Sequence, residues 1–489
     1  MSGQNRRIAI LTALFGSSTL FIGTSPASAE KAAPAPVAAP KAADARAADP
    51  ALAALERFGR SIQRVTLDNG MRIVLNPDRT SPTVSVAVTY GVGSRDERVG
   101  QSGFAHLFEH MMFQGSQHVK KGDHFTLIAE RGGTLNGTTS TDRTNYFEVL
   151  PASELPLALW LEADRMRALN VTAENFENQR AVVQEEYRMR YENAPYARGM
   201  LRLEELVFEG YPPYAHSTIG SMKELEAAKF EWVKEFYERY YAPNNAVLAI
   251  AGDFDTDEAM RLVREYFGSI PTKPTKRAEL GAAPAVAQAK QETVDDPNVK
   301  TPGFFYGFRI PPSQTKEHYA LELLAVILAD GESSRLHQLL VRDRAVAQRA
   351  SAWTRDNVGP DEFGISVVLT EKGKLKDVER LVDAELEKAR KAPPSPAELA
   401  KAKNQIRASF VFGIQTNMGR AVKLSEYESY YGDARQLARE LGHYLDVKAE
   451  DIQRAAAEYL TPQRRTLIEV LPVAKPLAAN AAPAKGAKP

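Results

Sequence analysis

The chain has 489 residues, more than a single hydrophobic core usually supports, so we expect at least two globular domains. Hydrophobic residues make up 44% and charged residues 25%, values that exclude general disorder and a membrane bundle. Lysine plus arginine and aspartate plus glutamate both number 62, so the zero net charge gives no reason to expect nucleic acid as a partner. The absence of cysteine excludes disulfides and thiolate metal ligands.

The first 29 residues differ in composition from the rest. Arg6 and Arg7 precede an apolar run over residues 8–23, and a small-residue site follows that ends at Ala29. This pattern predicts a signal peptide, so we expect a periplasmic or secreted protein of Gram-negative-type export. The apolar run is shorter than the roughly 20 residues that span a bilayer, so we expect no stable membrane anchor after cleavage.

Stretches rich in Ala and Pro mark the expected domain boundaries, because such a composition cannot offset the entropy of ordering. The predicted organisation is a signal peptide (1–29), an Ala/Pro-rich tether (30–60), an N-terminal domain (61–272), a linker (273–300), a C-terminal domain (301–473) and a disordered tail (474–489).

Both large segments begin with strand patterns. Residues 64–75 and 84–90 predict strands in the first segment, and residues 303–310 and 364–369 predict strands in the second. Residues 317–329 carry apolar side chains at helical spacing. We therefore expect an α+β fold with two halves of similar element order, each a sheet covered by helices.

A His-x-x-Glu-His sequence lies in an apolar stretch that predicts a buried helix. On such a helix His106, Glu109 and His110 share one face. Two imidazoles suit zinc, and a carboxylate between them is close enough to deprotonate a zinc-bound water without being a ligand. Paired histidines are also buried simply as hydrogen-bonding groups, so a third ligand must be found elsewhere.

The helix predicted over residues 173–191 offers that third ligand. Glu186 is three and four residues from Val183 and Val182, which places it on the apolar face. Glu185 lies about 100° further round the helix and is interpreted as a solvated partner of a nearby arginine, with the ligand role as a fallback.

Several motifs in one order resemble the pitrilysin family of metallopeptidases, which includes insulin-degrading enzyme and the mitochondrial processing peptidases. They are the His-x-x-Glu-His sequence, Glu186, and the segments 133–146, 161–166, 240–245, 251–254 and 331–336. The resemblance covers residues 64 to 472. The chain is similar in length, and in its single zinc motif, to the short, two-domain branch of the family.

The resemblance implies two homologous halves that form a clam-shell around a cavity, and a dimeric state. It also implies one zinc ion per chain bound by His106, His110 and Glu186, with Glu109 as general base. Asn136 falls at a position near the substrate, on an edge strand that would pair with an extended peptide. An ordinary turn or edge asparagine remains open for this residue.

The chain departs from the family at two places. Seven residues before Glu186, Gln179 replaces a supporting glutamate. In the second half, Val341 and Gln348 stand where many members have the Arg and Tyr that hold the substrate carbonyl. Arg342 or Arg344 is a possible substitute. Arg420 and Tyr427 have the right spacing but are interpreted as ordinary helix surface.

The sequence is compatible with three functions. The main hypothesis is a zinc peptidase that acts on peptides or small unfolded proteins, as the catalytic subunit of a heterodimer whose homologous partner lacks zinc and supplies the Arg/Tyr pair. The alternative is a catalytically silent, peptide-enclosing or chaperone-like subunit, against which the intact Glu109 argues. Zinc storage is disfavoured because the segment with His118 and His124 is sparse in ligands and cationic.

Overall fold

The structure, a computed structural model, describes residues 49–473 except 276, 278 and 287. The expected signal peptide and C-terminal tail lie outside the described residues, as does the tether up to residue 48. Among the described helices, none combines the length and the apolar character needed to cross a membrane.

A mixed sheet forms the centre of the first half. Its strands are Gln63–Thr66 (β1), Arg72–Pro77 (β2), Thr83–Tyr90 (β3), Thr134–Thr139 (β4), Thr144–Pro151 (β5) and Ala246–Gly252 (β6). The spatial order is β1-β2-β6-β3-β5-β4, with β2 and β6 parallel and the other neighbours antiparallel. Strand β4 is therefore an edge strand.

The first half also contains helices, one of which comes before β1 in the chain. They are Pro50–Ser61 (α1), Phe104–Met111 (α2), Asp123–Glu130 (α3), Leu155–Ala168 (α4), Ala173–Tyr187 (α5), Ala197–Val207 (α6), Met222–Ala227 (α7), Phe230–Tyr240 (α8) and Thr256–Phe267 (α9). A π-helical turn, Arg188–Glu192, continues α5.

The second half repeats the arrangement. Its strands are Lys290–Asp296 (β7), Gly303–Ile310 (β8), Ala347–Thr354 (β9), Asp361–Leu369 (β10) and Thr466–Pro472 (β11), and its helices are Lys316–Ala329 (α10), Leu375–Lys391 (α11), Pro396–Gly413 (α12), Asn417–Tyr431 (α13), Leu437–Asp446 (α14) and Ala449–Tyr459 (α15). A π-helical segment, His337–Asp343, precedes β9.

The strand order of the second sheet, β7-β11-β8-β10-β9, matches β2-β6-β3-β5-β4 of the first. The β7–β11 pair is parallel, as is β2–β6, and the other neighbours are antiparallel in both sheets. The shared topology supports the internal duplication suggested by the order of predicted elements.

Each sheet is also covered by a helix that belongs to the other half. Helix α13 packs through Ala421 and Leu424 against Ala87 and Ala249 of the first sheet. Helix α6 packs through Leu203 against Phe305 and Ile468 of the second sheet. The two halves are therefore joined by exchanged helices as well as by the connecting chain.

The structure corrects two predicted boundaries. The tether was predicted to reach residue 60, but Pro50–Ser61 is a helix whose first turn is capped by Asp49 and whose Leu55 is buried. The linker was predicted over 273–300, but Lys290–Asp296 is an edge strand of the second sheet. The first segment is Ala-rich and the second is short and polar, so the order of both depends on contacts made by the folded chain.

Candidate metal centre

Helix α2 has a buried face and a half-buried face. The buried face carries Phe104, Ala105, Leu107, Phe108 and Met111. The half-buried face carries His106, Glu109 and His110, because residues three and four apart lie on one side of a helix. The predicted helix and its orientation are therefore present.

The start of α2 is set by a buried carboxylate. Glu97 accepts hydrogen bonds from the backbone N–H groups of Gly103 (2.9 Å) and Ala105 (2.7 Å), two donors that lack partners inside the helix. Gly103 has φ of 90°, and a Cβ there would lie 2.5 Å from the carbonyl oxygen of Ile219. The helix that carries both histidines is thus anchored at its first turn.

Helix α5 places Glu186 beside the two histidines. The side chain of Glu186 is 16% exposed and faces α2, whereas that of Glu185 is 62% exposed and lies 3.1 Å from Arg188. The structure therefore places Glu186 at the site and leaves Glu185 in a solvated pair on the outside of the helix.

Three ligand atoms converge in the space between α2 and α5. Oε2 of Glu186 lies 3.3 Å from Nε2 of His110 and 3.7 Å from Nε2 of His106. The ligand atoms of the three residues all lie within 4.8 Å of one another. Ligands of a tetrahedral zinc at about 2.0–2.2 Å stand about 3.3–3.6 Å apart, so this arrangement fits zinc.

The charge states of these residues suit a cation. Burial and the neighbouring His110 lower the pKa of His106 to about 3, so its imidazole is neutral near pH 7. Burial opposes ionisation of Glu186, but the hydrogen bond from His110 and the nearby charges lower its pKa to about 2. The site therefore offers a neutral imidazole and a carboxylate, as zinc requires.

The carboxylate of Glu109 faces the edge strand β4. Its Oε2 accepts a 2.6 Å hydrogen bond from Oγ1 of Thr139. A Cβ at Gly137 would lie 3.1 Å from Cγ of Glu109, so β4 passes close to the glutamate. The pKa of Glu109 is raised above its ordinary value, because burial outweighs the lowering effect of the bond from Thr139.

Asn136 lies on β4, at the edge of the first sheet. Its Oδ1 accepts a 2.9 Å bond from the backbone N–H of Gly137. The side chain is half-buried. The position on an edge strand agrees with the expected location of Asn136. The bond to Gly137 also fits the alternative, an ordinary edge asparagine without a role in substrate binding.

The substituted positions do not complete the site. Nε2 of Gln179 donates to Asn178 at 2.9 Å. Val341 packs against the core of the second half, and Nε2 of Gln348 donates to the carbonyl oxygen of Leu369 at 2.8 Å. Arg342 is an exposed partner of Asp343. None of these described contacts reaches the three ligands.

The interpretation of Arg420 and Tyr427 as helix surface is wrong. Arg420 is 9% exposed, and its Nη2 donates to Oδ2 of Asp78 at 2.8 Å. Tyr427 is partly buried and packs with the hydrophobic cluster that joins α13 to the first sheet. The reason is that α13 lies between the two halves, so more than one of its faces is covered.

Three contacts at the site were missed by the sequence analysis. They are the bond from Thr139 to Glu109, the cap that Glu97 forms on α2, and the 3.0 Å pair between Arg190 and Oε1 of Glu186. Only the last had a local signal, a Glu and an Arg four residues apart on a helix. The other two depend on tertiary structure.

A second group of potential ligands is fully buried. The ligand atoms of His124, Glu148 and Glu162 also lie within 4.8 Å of one another. Arg165, however, binds the carboxylate of Glu162 through Nε (3.1 Å) and Nη2. A guanidinium already supplies the positive charge there, so this group is less suited to a metal than the first.

Sequence comparisons match the two halves separately. Residues 72–207 match the insulinase domain of peptidase family M16, and residues 228–406 match the domain described as the peptidase M16 inactive domain. Zinc protease PqqE of Helicobacter pylori is 29% identical over 416 residues, which cover 84% of this chain and 93% of the relative. An uncharacterized zinc protease of Mycobacterium leprae is 30% identical over 407 residues, 81% of this chain and 89% of the relative.

Solved structures share the fold. The crystal structure of a protease from Helicobacter pylori matches with a TM-score of 0.79 at 29% identity and covers 84% of this chain and 99% of that chain. Pitrilysin matches with a TM-score of 0.68 at 19% identity and covers 84% of this chain and 45% of that chain. The predicted α+β class, with two homologous halves in a clam-shell, is confirmed.

Proposed function

The chain belongs to the M16 (pitrilysin) family of metallopeptidases, and we propose that it is a zinc-dependent peptidase that hydrolyses peptides or small unfolded proteins. The observation that carries this proposal is the convergence of ligand atoms of His106, His110 and Glu186. Oε2 of Glu186 lies 3.7 Å and 3.3 Å from Nε2 of the two histidines, close to the spacing of zinc ligands.

His106, His110 and Glu186 would hold one zinc ion. When bound, zinc lowers the pKa of a coordinated water and polarises a carbonyl group. Three protein ligands leave room for water and substrate, which is typical of a catalytic zinc site. Among the three ligands only Glu186 carries a negative charge. Gln179, which stands where the family commonly has a supporting glutamate, is neutral and adds no further negative charge.

Glu109 is the general base of the proposed reaction. It lies on the same face of α2 as the two histidines but is not in the ligand set. Its carboxylate takes a proton from the attacking water and passes it to the nitrogen of the leaving amine. Burial raises the pKa of Glu109 above its ordinary value, and a higher pKa makes the carboxylate a stronger base.

We place the substrate along β4. An edge strand offers unpaired backbone groups, so an extended peptide can add to the sheet through main-chain bonds with little dependence on sequence. Gly137 of this strand lies beside Glu109, and Asn136 precedes it, so a peptide added to β4 would bring its backbone to the base.

The carbonyl-binding residues are proposed to come from a second, homologous subunit. Val341 has no side-chain donor, and the Gln348 side chain donates to Leu369. Arg342 is paired with Asp343, and Arg420 is bound to Asp78. A partner that supplies an Arg/Tyr pair would complete the oxyanion site. The zinc-bearing chain is thus one half of a heterodimer, exported by the signal that the first 29 residues predict.

An assay with a mixed peptide library tests the proposal. The zinc-loaded chain is assayed alone and together with the homologous subunit isolated from its source, and Glu109→Gln provides the matched inactive variant. We expect chelator-sensitive turnover that requires the partner and that falls by at least about 100-fold in the variant. Turnover unchanged in Glu109→Gln would refute the enzyme and favour a peptide-enclosing subunit, and full activity of the chain alone would refute the heterodimer.

A further inference from the structure

We propose that Thr139 is a positioning residue for Glu109, and that the metal-free second half of the chain holds Thr139 in place. This inference rests on the proposed role of Glu109 as the base. It assigns a role at the reaction centre to contacts between the two halves.

The contact between the two side chains is short and sheltered. Oγ1 of Thr139 donates a 2.6 Å hydrogen bond to Oε2 of Glu109. Glutamate has three side-chain torsions, whereas threonine is restricted about its first torsion by branching at Cβ. A fixed donor on a strand therefore selects one orientation of a flexible carboxylate. The close approach of Gly137 to Cγ of Glu109 limits the same side chain from the neighbouring position.

Arg143 ties the end of β4 to the second half. Its Nη1 donates to the carbonyl oxygen of Thr138 at 2.9 Å and to Oγ1 of the same residue at 2.6 Å. Its Nε donates to Oε1 of Glu426, on α13, at 2.9 Å. The side chains of Arg143 and Glu426 are 14% and 9% exposed, so solvent screens this ion pair weakly.

Asp142 provides a second connection from the same turn. It is 2% exposed and accepts a 2.9 Å bond from the backbone N–H of Val358, which precedes β10 in the second half. It also accepts from the hydroxyl of Tyr214 at 3.0 Å and binds Arg95. The turn between β4 and β5 is thus attached to the second half at two separate points.

These contacts form a continuous path from the second half to the base. Glu426 and Val358 hold the turn, the turn fixes the end of β4, and Thr139 at that end holds Glu109. A displacement of about 1 Å in a reacting group can cost about 100-fold in rate. The second half therefore contributes to catalysis by fixing the position of the base.

Substitutions at Thr139 test the inference in the zinc-loaded chain with its partner subunit. Thr139→Val removes the hydroxyl and keeps the branched shape, and Thr139→Ser keeps the hydroxyl. Thr293→Val is the matched control, because Oγ1 of Thr293 also donates to a glutamate (Glu469, 3.3 Å) but from an exposed position of β7 in the second sheet. We expect Thr139→Val to lower kcat by about 10- to 100-fold with KM within about twofold, and the serine variant and the control to stay within about threefold of the parent.

Zinc content and a crystal structure supply readouts that do not depend on activity. We expect Thr139→Val to bind zinc as the parent does and to show the Glu109 carboxylate rotated away from its parent position, with the parent position kept in the serine variant. Glu426→Gln weakens the connection from α13 and should lower kcat by about three- to tenfold without loss of zinc.

The outcomes separate this inference from the proposed function. Parental kcat and an unmoved Glu109 in Thr139→Val would overturn the positioning role, as would a serine variant as impaired as the valine variant. Parental kcat in Glu426→Gln would overturn the role of the second half. If the parent protein is inactive or Glu109→Gln is fully active, the proposed function fails instead, and the crystal structures still report whether Thr139 orients Glu109.

Discussion

Nη1 of Arg190 lies 3.0 Å from Oε1 of Glu186, the oxygen opposite the one that faces the two histidines. The arginine thus holds the carboxylate by one oxygen and leaves the other for a metal. A partner of this kind orients a ligand and affects metal affinity without touching the ion.

Replacement of Arg190 by methionine should therefore weaken zinc binding by about 10-fold. Arg190→Gln, which keeps a donor but removes the charge, should recover most of that loss. Arg188→Met is the matched control, because Arg188 forms a similar exposed pair with Glu185, away from the site. Competition titration with a zinc chelator measures all three. Tighter zinc binding in both Arg190 variants would contradict this prediction. It would show that repulsion between the arginine and the zinc ion outweighs the benefit of orienting the Glu186 carboxylate.

The two adjacent glutamates of α5 should differ sharply in their effect on zinc. Glu186→Gln removes a proposed ligand and should weaken zinc binding by at least about 100-fold, whereas Glu185→Gln should leave it unchanged. The physical reason is their exposure, 16% against 62%, and their partners: Glu186 faces the two histidines, whereas Glu185 pairs with Arg188. Equilibrium zinc titration of both variants checks this, and equal losses would contradict the assignment of Glu186.

A buried ion pair in the second half predicts a loss of stability at alkaline pH. Burial alone would lower the pKa of His318, but its 2.7 Å bond to Asp361 and the charges of Asp361 and Glu322 raise it to about 9. Folding therefore favours the protonated imidazole. Burial also raises the pKa of Asp361 to about 7, so both members of the pair are charged between about pH 7 and pH 9. The stability that the protonated His318 contributes is lost as the pH rises through about 9.

Urea unfolding between pH 7 and pH 10 measures that loss. The parent should lose on the order of 2 kcal/mol more than His318→Gln, whose side chain does not titrate, across this interval. Parallel stability curves for the two proteins would contradict a protonated His318 in the folded state.

The buried Arg420 predicts a structural role for the start of α13. Arg420→Met removes the bond to Asp78 and should lower the free energy of unfolding by about 1.5–3 kcal/mol, without changing zinc affinity. Arg454→Met is a control, since Arg454 pairs with Asp451 on an exposed helix surface. Its unfolding midpoint should match the parent. Equal unfolding curves for parent and Arg420→Met would show that the contact adds no stability.

The helix that carries the candidate metal ligands was predictable because its signal is local. The spacing of His106, Glu109 and His110 places them on one face of any helix, and the apolar residues between them bury the opposite face. Glu186 was distinguished from Glu185 by the same reasoning about faces. In both cases the decisive information lies within about two helical turns.

The remaining features depend on contacts between distant segments. Thr139 meets Glu109 because β4 is the edge strand that crosses α2, and no local pattern encodes that strand order. Arg420 looked like surface because the exchange of α13 onto the first sheet is a tertiary feature. The helix Pro50–Ser61 lies in an Ala-rich segment and is ordered by its capping residue and its contacts.

An anomalous-difference map recorded at the zinc absorption edge from crystals of the zinc-loaded chain tests the central claim most directly. We predict one peak per chain, at about 2.0–2.2 Å from Nε2 of His106, Nε2 of His110 and Oε2 of Glu186. A peak at the buried group of His124, Glu148 and Glu162, or no peak between α2 and α5, would contradict the account.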